Sequence, residues 1–210
     1  MRPYKTAHTE AKTERIINRS RFISQCFPVR SEDEALSRLN EVRKQYPDAT
    51  HVCYAYRIGE LSETTRFSDA GEPSGTAGMP ILEVLKANEL TYVLCTVTRY
   101  FGGILLGAGG LTRAYAKAAK DALDAAGKAR MQPFSVLLLE CPYPMFERVK
   151  LLIEDHEGRI ESSDYGAAVT LSFLLPVGKT EAFSAALTEL SGGQMSAEEV
   201  EQRFLPGARE

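Results

Sequence analysis

The chain has 210 residues, of which 44% are hydrophobic and 25% are charged, a composition typical of a soluble globular protein. A chain of this length forms one large or two small domains and buries on the order of two thirds of its unfolded surface, which excludes disorder as the main state. No apolar run approaches the ~20 residues that span a bilayer. The polar N-terminus also lacks the apolar core of a secretory signal. We therefore expect a cytoplasmic protein with no membrane partner.

The net charge of −3 conceals an asymmetry along the chain. Residues 1–130 contain 19 Lys and Arg against 15 Asp and Glu, whereas residues 131–210 contain 6 against 13. The first thirty residues alone contain 7 basic against 2 acidic side chains. Such a split indicates a polyanion partner for the basic part. The alternative, that each part only solvates its own surface, remains open at this stage.

Hydrophobic periodicity predicts three strands and three helices in the first 130 residues. In chain order they are a strand at Phe22–Val29 that pairs with the preceding segment, a helix at Ser31–Tyr46, a strand at His51–Ile58, a helix beginning at Pro80, a strand at Thr91–Tyr100 and a helix at Leu111–Ala126. Ser31 and Glu34 have the spacing of a capping box, which fixes the start of the first helix. Gly127 suits a helix C-terminus, and Pro133 prevents continuation of the helix.

We place a domain boundary near Met131, giving domains at residues 1–130 and 131–210. The second domain reads as alternating strands and helices, at Phe134–Cys141, Pro144–His156, Arg159–Asp164, Ala167–Val177, Thr180–Leu190 and Glu198–Phe204. This β-α-β-β-α-β order is that of the ferredoxin-like fold. Both parts together predict an α+β protein.

A glycine-rich segment follows the last strand of the first domain. It has five glycines within nine residues, Gly102, Gly103, Gly107, Gly109 and Gly110, flanked by Arg99 and Arg113. Glycines before a helix let backbone N–H groups converge on an anion, and the arginines add charge-assisted hydrogen bonds. The segment has no Lys-Ser or Lys-Thr after its last glycine and is not a Walker loop. The alternative is that the glycines only serve tight turns and close packing.

A second glycine-bearing segment, residues 67–80, contains Asp69, Glu72, Ser74 and Thr76. Paired carboxylates act as acid and base or hold a metal ion, and the hydroxyls could serve as nucleophiles. The competing interpretation, which we favour, is that these side chains cap turns and the next helix. His51 shares a strand face with a cysteine, but two ligands do not make a zinc site.

The four cysteines are evenly spaced without a Cys-x-x-Cys pair, which favours buried reduced thiols. No nucleophile–base pair is identifiable, so the sequence predicts no catalytic residue, metal or cofactor. The cysteines are Cys26, Cys53, Cys95 and Cys141.

Over about residues 15–125 the chain resembles the IMPACT family, also called uncharacterised protein family 0029, and its bacterial members in particular. The matching motifs are Ser20-Arg21-Phe22, His51-Val52-Cys53-Tyr54-Ala55, Ser68-Asp69, Gly71-Glu72-Pro73-Ser74-Gly75-Thr76-Ala77-Gly78, Pro80-Ile81-Leu82, Thr98-Arg99-Tyr100-Phe101-Gly102-Gly103, Leu106-Gly107, Gly109-Gly110-Leu111 and Arg113-Ala114-Tyr115. Two positions depart from the family pattern. Ala70 replaces the second of two consecutive acids, which weakens any carboxylate-pair metal site. Met79 replaces a common Lys or Arg, which removes one phosphate contact.

The resemblance implies a first domain with the fold of ribosomal protein S5 domain 2 and a ferredoxin-like second domain similar to the last domain of elongation factor G. Eukaryotic relatives regulate translation through a stress-kinase pathway that does not transfer to this short chain. Contact with RNA or the ribosome is what carries over, as an analogy between folds.

Three functions remain in competition. The first, which we favour, is a non-enzymatic protein that binds RNA or the ribosome through Arg19, Arg21, Arg99, Arg113 and the Gly102–Gly110 backbone. The second is an enzyme acting on a small phosphorylated or carboxylated ligand beside His51, Asp69 and Glu72. The third is an interaction module in which the acidic second domain binds a basic protein.

Overall fold

The structure is a computed structural model that describes residues 2–209. The chain divides into two compact units. Unit 1 comprises the described residues up to Met131 together with the segment from Pro206, and unit 2 comprises Gln132–Leu205. No helix in residues 2–209 is both long and apolar enough to cross a membrane.

Unit 1 contains an antiparallel five-stranded sheet in the order β2-β3-β6-β4-β5. The elements of unit 1 are β1 (Tyr4–Ala7), β2 (Ala11–Ile17), β3 (Ser20–Pro28), α1 (Glu32–Gln45), β4 (His51–Ile58), β5 (Thr64–Ser68), α2 (Gly78–Ala87), β6 (Val93–Tyr100) and α3 (Gly107–Ala126). Because side chains alternate between the faces of a strand, the sheet has two apolar faces. One packs against α2 and α3, and the other against α1.

Several sequence predictions for unit 1 are confirmed. Ser31 caps α1 by accepting the backbone N–H of Glu34 at 3.2 Å, and Gly127 follows the last residue of α3 with φ of +68°. The four cysteines are free and buried. The segment before β3 pairs with it as β2.

Other predictions for unit 1 are wrong in their bounds. Helix α3 begins at Gly107 rather than Leu111, so three of the five glycines lie in its first turn and not in a loop. Pro80 is the third residue of α2 rather than the first. Strands β1 and β5 were not predicted, because they are short and have little apolar alternation.

Unit 2 has the ferredoxin-like arrangement. Its elements are β7 (Lys128–Cys141, which begins in unit 1), α4 (Phe146–Asp155), β8 (Arg159–Tyr165), β9 (Val169–Pro176), α5 (Thr180–Ser191) and β10 (Ala197–Arg209). The sheet order β10-β7-β9-β8 is the 4-1-3-2 order of this fold, and α4 and α5 cover one face around Phe173 and Phe183. The predicted α+β class, with its S5 domain 2-like and ferredoxin-like parts, is confirmed.

Strand β7 begins six residues before its predicted start at Phe134 and is continuous through Pro133. In unit 1, its residues from Lys128 to Met131 pair with β1. The change from one unit to the next therefore falls inside a strand rather than in a loop. The division into domains at residues 1–130 and 131–210 stays a prediction, because it concerns which parts fold alone.

Candidate nucleic-acid interface

A buried ion pair joins the two glycine-bearing segments of unit 1. Glu72, from the loop between β5 and α2, accepts a hydrogen bond at its Oε1 from Nη1 of Arg99 on β6, at 2.6 Å. The Tyr115 hydroxyl, on α3, donates to the same oxygen at 2.7 Å. The side chains of Glu72 and Arg99 are only 3% and 5% exposed. A buried charge needs such partners, so the three residues tie α3, β6 and this loop together.

His51 lies at the edge of this cluster. Its Nδ1 is 2.9 Å from the carbonyl oxygen of Ala70. Because a carbonyl can only accept, we assign a proton to Nδ1. His51 Nε2 then faces Oε2 of Glu72 across 3.8 Å. The contact with Ala70 orients the imidazole and directs Nε2 towards the carboxylate.

Asp69 organises the loop that precedes α2. Its carboxylate accepts backbone hydrogen bonds from Gly75 at 2.8 Å, Ala77 at 3.0 Å and Gly78 at 2.8 Å. Burial raises the pKa of Asp69, but the three backbone hydrogen bonds outweigh burial and hold this pKa below its ordinary value. The carboxylate therefore acts as a cap for turns and the start of α2.

The remaining polar residues of this loop also have local contacts. The Thr76 hydroxyl donates to the carbonyl of Pro73 at 2.7 Å, whereas Ser74 is exposed. Cys53 donates from its Sγ to the carbonyl of Asp69 at 3.0 Å, and burial raises the pKa of Cys53 to about 12, so the thiol is a poor nucleophile. Within residues 2–209, no group of three or more His, Cys, Asp and Glu is arranged to hold a metal ion.

The structure places Arg99 differently from the sequence-based expectation. Its guanidinium lies over the rings of Phe22 and Phe101, at 5.5 and 5.4 Å from their centroids. Nη2 donates to the hydroxyl of Ser20 at 3.2 Å. Since Arg99 is buried and paired with Glu72, its guanidinium is not presented to a phosphate in solvent. The expectation of a direct phosphate contact by Arg99 does not fit this burial.

The N-terminus of α3 is exposed and has no side-chain cap. The first four N–H groups of a helix have no partner within the helix. Helix α3 has no capping side chain and no acidic residue in its first turn. Three of the predicted glycines, Gly107, Gly109 and Gly110, lie in this turn. The other two differ, because Gly102 donates its N–H to the Ser20 hydroxyl at 3.2 Å and Gly103 has a φ of +81° beside open space.

A cleft of about 390 Å³ opens beside this helix start. Its lining residues are Ile17, Asn18, Leu106, Gly110, Arg113, Ala114 and Lys117. Arg113 folds back along α3, with Nη1 3.5 Å from where a Gly109 Cβ would lie. Across residues 2–209 no carboxylate pairs with Arg113. Lys117 is paired with Asp121 at 2.8 Å. The cleft therefore has an uncompensated guanidinium beside the first turn of α3.

The turn between β2 and β3 contributes the other predicted arginines. Arg19 is exposed, has a φ of +64° and has no ion pair within the described part of the chain. Arg21 is also exposed, but its guanidinium binds both carboxylate oxygens of Glu14 at 2.7 and 2.8 Å. Arg19 and Arg113 thus hold the unpaired positive charge of the site, while Arg21 is paired.

Sequence reasoning missed three participants. Lys117 follows Arg113 by one helical turn, a spacing that could have placed it on the same face of α3. Tyr115 and Ser20 lie in the family motifs quoted above, but their roles could not be read from spacing, because their polar partners lie 43 and 79 residues away in the chain.

Most of this site lies in a segment of the chain that is similar to known proteins. The model of the Impact N-terminal domain matches residues 18–123, which contain the whole cluster and every lining residue of the cleft except Ile17. The chain belongs to the IMPACT family. Residues 139–194, within unit 2, match a domain of unknown function, DUF1949.

The similarity to bacterial IMPACT family members extends over both units. The chain is 36% identical to the IMPACT family member YvyE of Bacillus subtilis over 205 residues, 98% of this chain and 94% of that protein. It is 37% identical to YigZ of Escherichia coli over 188 residues, 89% and 92% of the two chains. A crystal structure described as that of a hypothetical protein matches with a TM-score of 0.60 and 34% identity, covering 96% of this chain and 98% of that one.

Proposed function

We propose that this IMPACT family protein binds RNA, in free form or on the ribosome, and acts in translation in the cytoplasm. The observation that carries the proposal is the cleft beside the first turn of α3, where Arg113 has no carboxylate partner in residues 2–209 and the adjacent helix N-terminus has no side-chain cap. Backbone donors and an arginine at a helix N-terminus are the groups that bind phosphate.

Charge and family context support this proposal. The basic excess of the first thirty residues includes Arg19, whose side chain has no carboxylate partner in residues 2–209. An exposed basic surface raises the rate and affinity of binding to a polyanion. The resemblance to a family whose eukaryotic members regulate translation favours RNA over other polyanions.

The test is RNA binding by the full chain as a function of salt, together with co-sedimentation with ribosomes. Each phosphate contact steepens the salt dependence by about 0.7 log units on single strands and about 0.9 on duplex. We expect Arg19→Ala and Arg113→Ala each to weaken binding and to reduce this slope. Arg43→Ala, an exposed arginine in the last turn of α1, is the matched control and should change neither. Binding that is independent of salt, or equal losses in all three variants, would contradict the proposal.

One feature of unit 2 favours a second activity, the binding of a basic protein. Glu140, Thr170 and Asp164 are consecutive cross-strand partners on β7, β9 and β8, and all three are exposed. Their neighbours Leu139 and Leu171 pack in the core under α4 and α5, so the row lies on the opposite face, at a position where that face is exposed. This face offers two carboxylates without an ion pair in the described part of the chain.

A lysine-rich decapeptide is a direct probe of this second activity. The full chain should bind it, and the double variant Glu140→Gln with Asp164→Asn should bind it several-fold more weakly. Glu181→Gln, an exposed acid on α5, is the control. If the control weakened peptide binding as much as the double variant does, the peptide would be attracted by the general negative charge of the protein and not by this face.

A further inference from the structure

Phe101 is an exposed aromatic residue held in a fixed position. Its side chain is 46% exposed, at the end of β6 and directly before Gly102. Its backbone N–H donates to the hydroxyl of Thr50 at 3.1 Å, and the N–H of Gly102 donates to that of Ser20 at 3.2 Å. These two side-chain contacts fix the backbone on either side of the ring. The exposed ring therefore projects from a backbone that is fixed on both sides.

The inner side of the Phe101 ring rests on a cation that is itself immobilised. The Arg99 guanidinium lies 5.4 Å from the centroid of the Phe101 ring and 5.5 Å from that of the Phe22 ring. Glu72 and Ser20 hold its two terminal nitrogens. A guanidinium near the face of an aromatic ring attracts the ring, so Arg99 gives Phe101 a rigid support. The remainder of the Phe101 ring is open to solvent.

The β2–β3 turn lies in direct contact with this aromatic loop. A Cβ on Gly102 would come within 2.1 Å of the carbonyl carbon of Arg19, so the two backbones touch. The exposed Arg19 side chain therefore starts from a backbone position that adjoins the Phe101 loop. A cation binds the phosphate of a nucleotide, and an aromatic surface stacks on its base. The two groups side by side therefore suit a nucleotide.

We infer that Phe101 is a stacking platform for one unpaired RNA base, whose adjoining phosphate is bound by Arg19. This inference rests on the proposed function and assigns the class of ligand: a single strand, loop or bulge rather than a regular duplex. Bases within a duplex are stacked on each other and cannot lie on an aromatic side chain, whereas unpaired bases can. Stacking is tolerant of sequence, because every base has a π-face.

The experiment compares a 12-nucleotide single-stranded RNA carrying one 2-aminopurine with a 12-base-pair RNA duplex, using the full chain. Phe101→Leu keeps apolar cover over Arg99 and removes the aromatic face, and it should lower single-strand affinity by about 10- to 100-fold. Phe101→Trp should retain the affinity, and binding to the wild type should change the 2-aminopurine fluorescence. The duplex affinity and the salt slope should be the same in all three proteins, since no charge changes.

The control is Leu105→Ala, which removes an apolar side chain that is 85% exposed in the same loop and should leave both affinities unchanged. Salt-dependent RNA binding that Phe101→Leu does not weaken would overturn the stacking inference and leave the proposed function standing. An equal loss for duplex and single strand would also overturn it. An absence of salt-dependent RNA binding in the wild type would instead overturn the proposed function itself.

Discussion

Nη1 of Arg99 lies 2.6 Å from Oε1 of Glu72 inside unit 1, with almost no solvent around either side chain. Two charges are costly to bury, and their attraction offsets that cost only when the geometry is good and the remaining polar atoms have partners. Tyr115 supplies one such partner to Glu72, and Ser20 supplies one to Arg99. The pair joins the segment before α2 to the central strand β6.

We expect Glu72→Gln to destabilise unit 1 by about 3–5 kcal/mol, because it leaves the guanidinium of Arg99 buried without a counter-charge. In a cycle of the wild type, Glu72→Leu, Arg99→Met and the double variant, the double variant should lose much less than the sum of the two single losses, because it buries no unpaired charge. Urea unfolding of the four proteins measures the difference. Additive losses would show that the two side chains are not energetically coupled.

The ionisation of Asp69 should make the stability of unit 1 depend on pH in the acid range. Its pKa is lowered in the folded state, so its ionisation stabilises the fold above the unfolded-state pKa, and this contribution is lost as the pH falls through the folded-state pKa. Asp69→Asn should therefore reduce stability at neutral pH by about 1–2 kcal/mol and flatten the loss of stability below about pH 4. Urea midpoints between pH 3 and pH 7 test this. Asp33→Asn, an exposed acid in the first turn of α1, should leave the slope unchanged.

Gly102 should tolerate no side chain. A Cβ there would lie 2.1 and 2.2 Å from the carbonyl carbon and oxygen of Arg19, which are backbone atoms that cannot move aside alone. Gly102→Ala should cost more than about 2 kcal/mol and displace the β2–β3 turn. Gly109→Ala meets only the flexible end of Arg113 at 3.5 Å, inside a helix, and should be neutral or stabilising by up to about 1 kcal/mol. Thermal unfolding and a crystal structure of the first variant would check both results, and equal stabilities would contradict the contact.

The thiols should be inert in the native protein. All four are buried, and burial raises the pKa of Cys26 to about 12. Only a thiolate reacts readily with an aromatic disulfide reagent, so we expect fewer than one equivalent to react at pH 7.5 and all four to react in guanidinium chloride. Rapid modification of the native protein would show that one of these sites opens to solvent.

The two glycine-bearing segments differ in their surroundings. One belongs to the closed cluster around Glu72, and the other borders the open cleft beside α3. The first segment folds inward, with Asp69 and Glu72 satisfied by backbone N–H groups and by buried donors. The second leaves its helix N-terminus free, next to Arg113. The first segment is thus an internal brace, and the second borders the surface for which we propose RNA binding.

The sequence by itself determined the elements that depend on local chemistry. Helix α1 follows from its cap at Ser31 and its apolar spacing, the end of α3 follows from Gly127, and the βαββαβ order of unit 2 follows from its alternating segments. These features depend on backbone conformation and periodicity within a few residues, which a sequence displays directly.

Only the tertiary structure decided which arginines remain free. Arg99 and Arg113 look alike in the sequence, yet Arg99 meets Glu72, which is 27 residues away in the chain, because β6 lies between β3 and β4 and points this side chain into the core. Arg113 lies on the exposed side of the first turns of α3 and stays unpaired within residues 2–209. Burial and pairing are set by the register of distant strands and by helix packing, so the charge available to a ligand is a property of the fold.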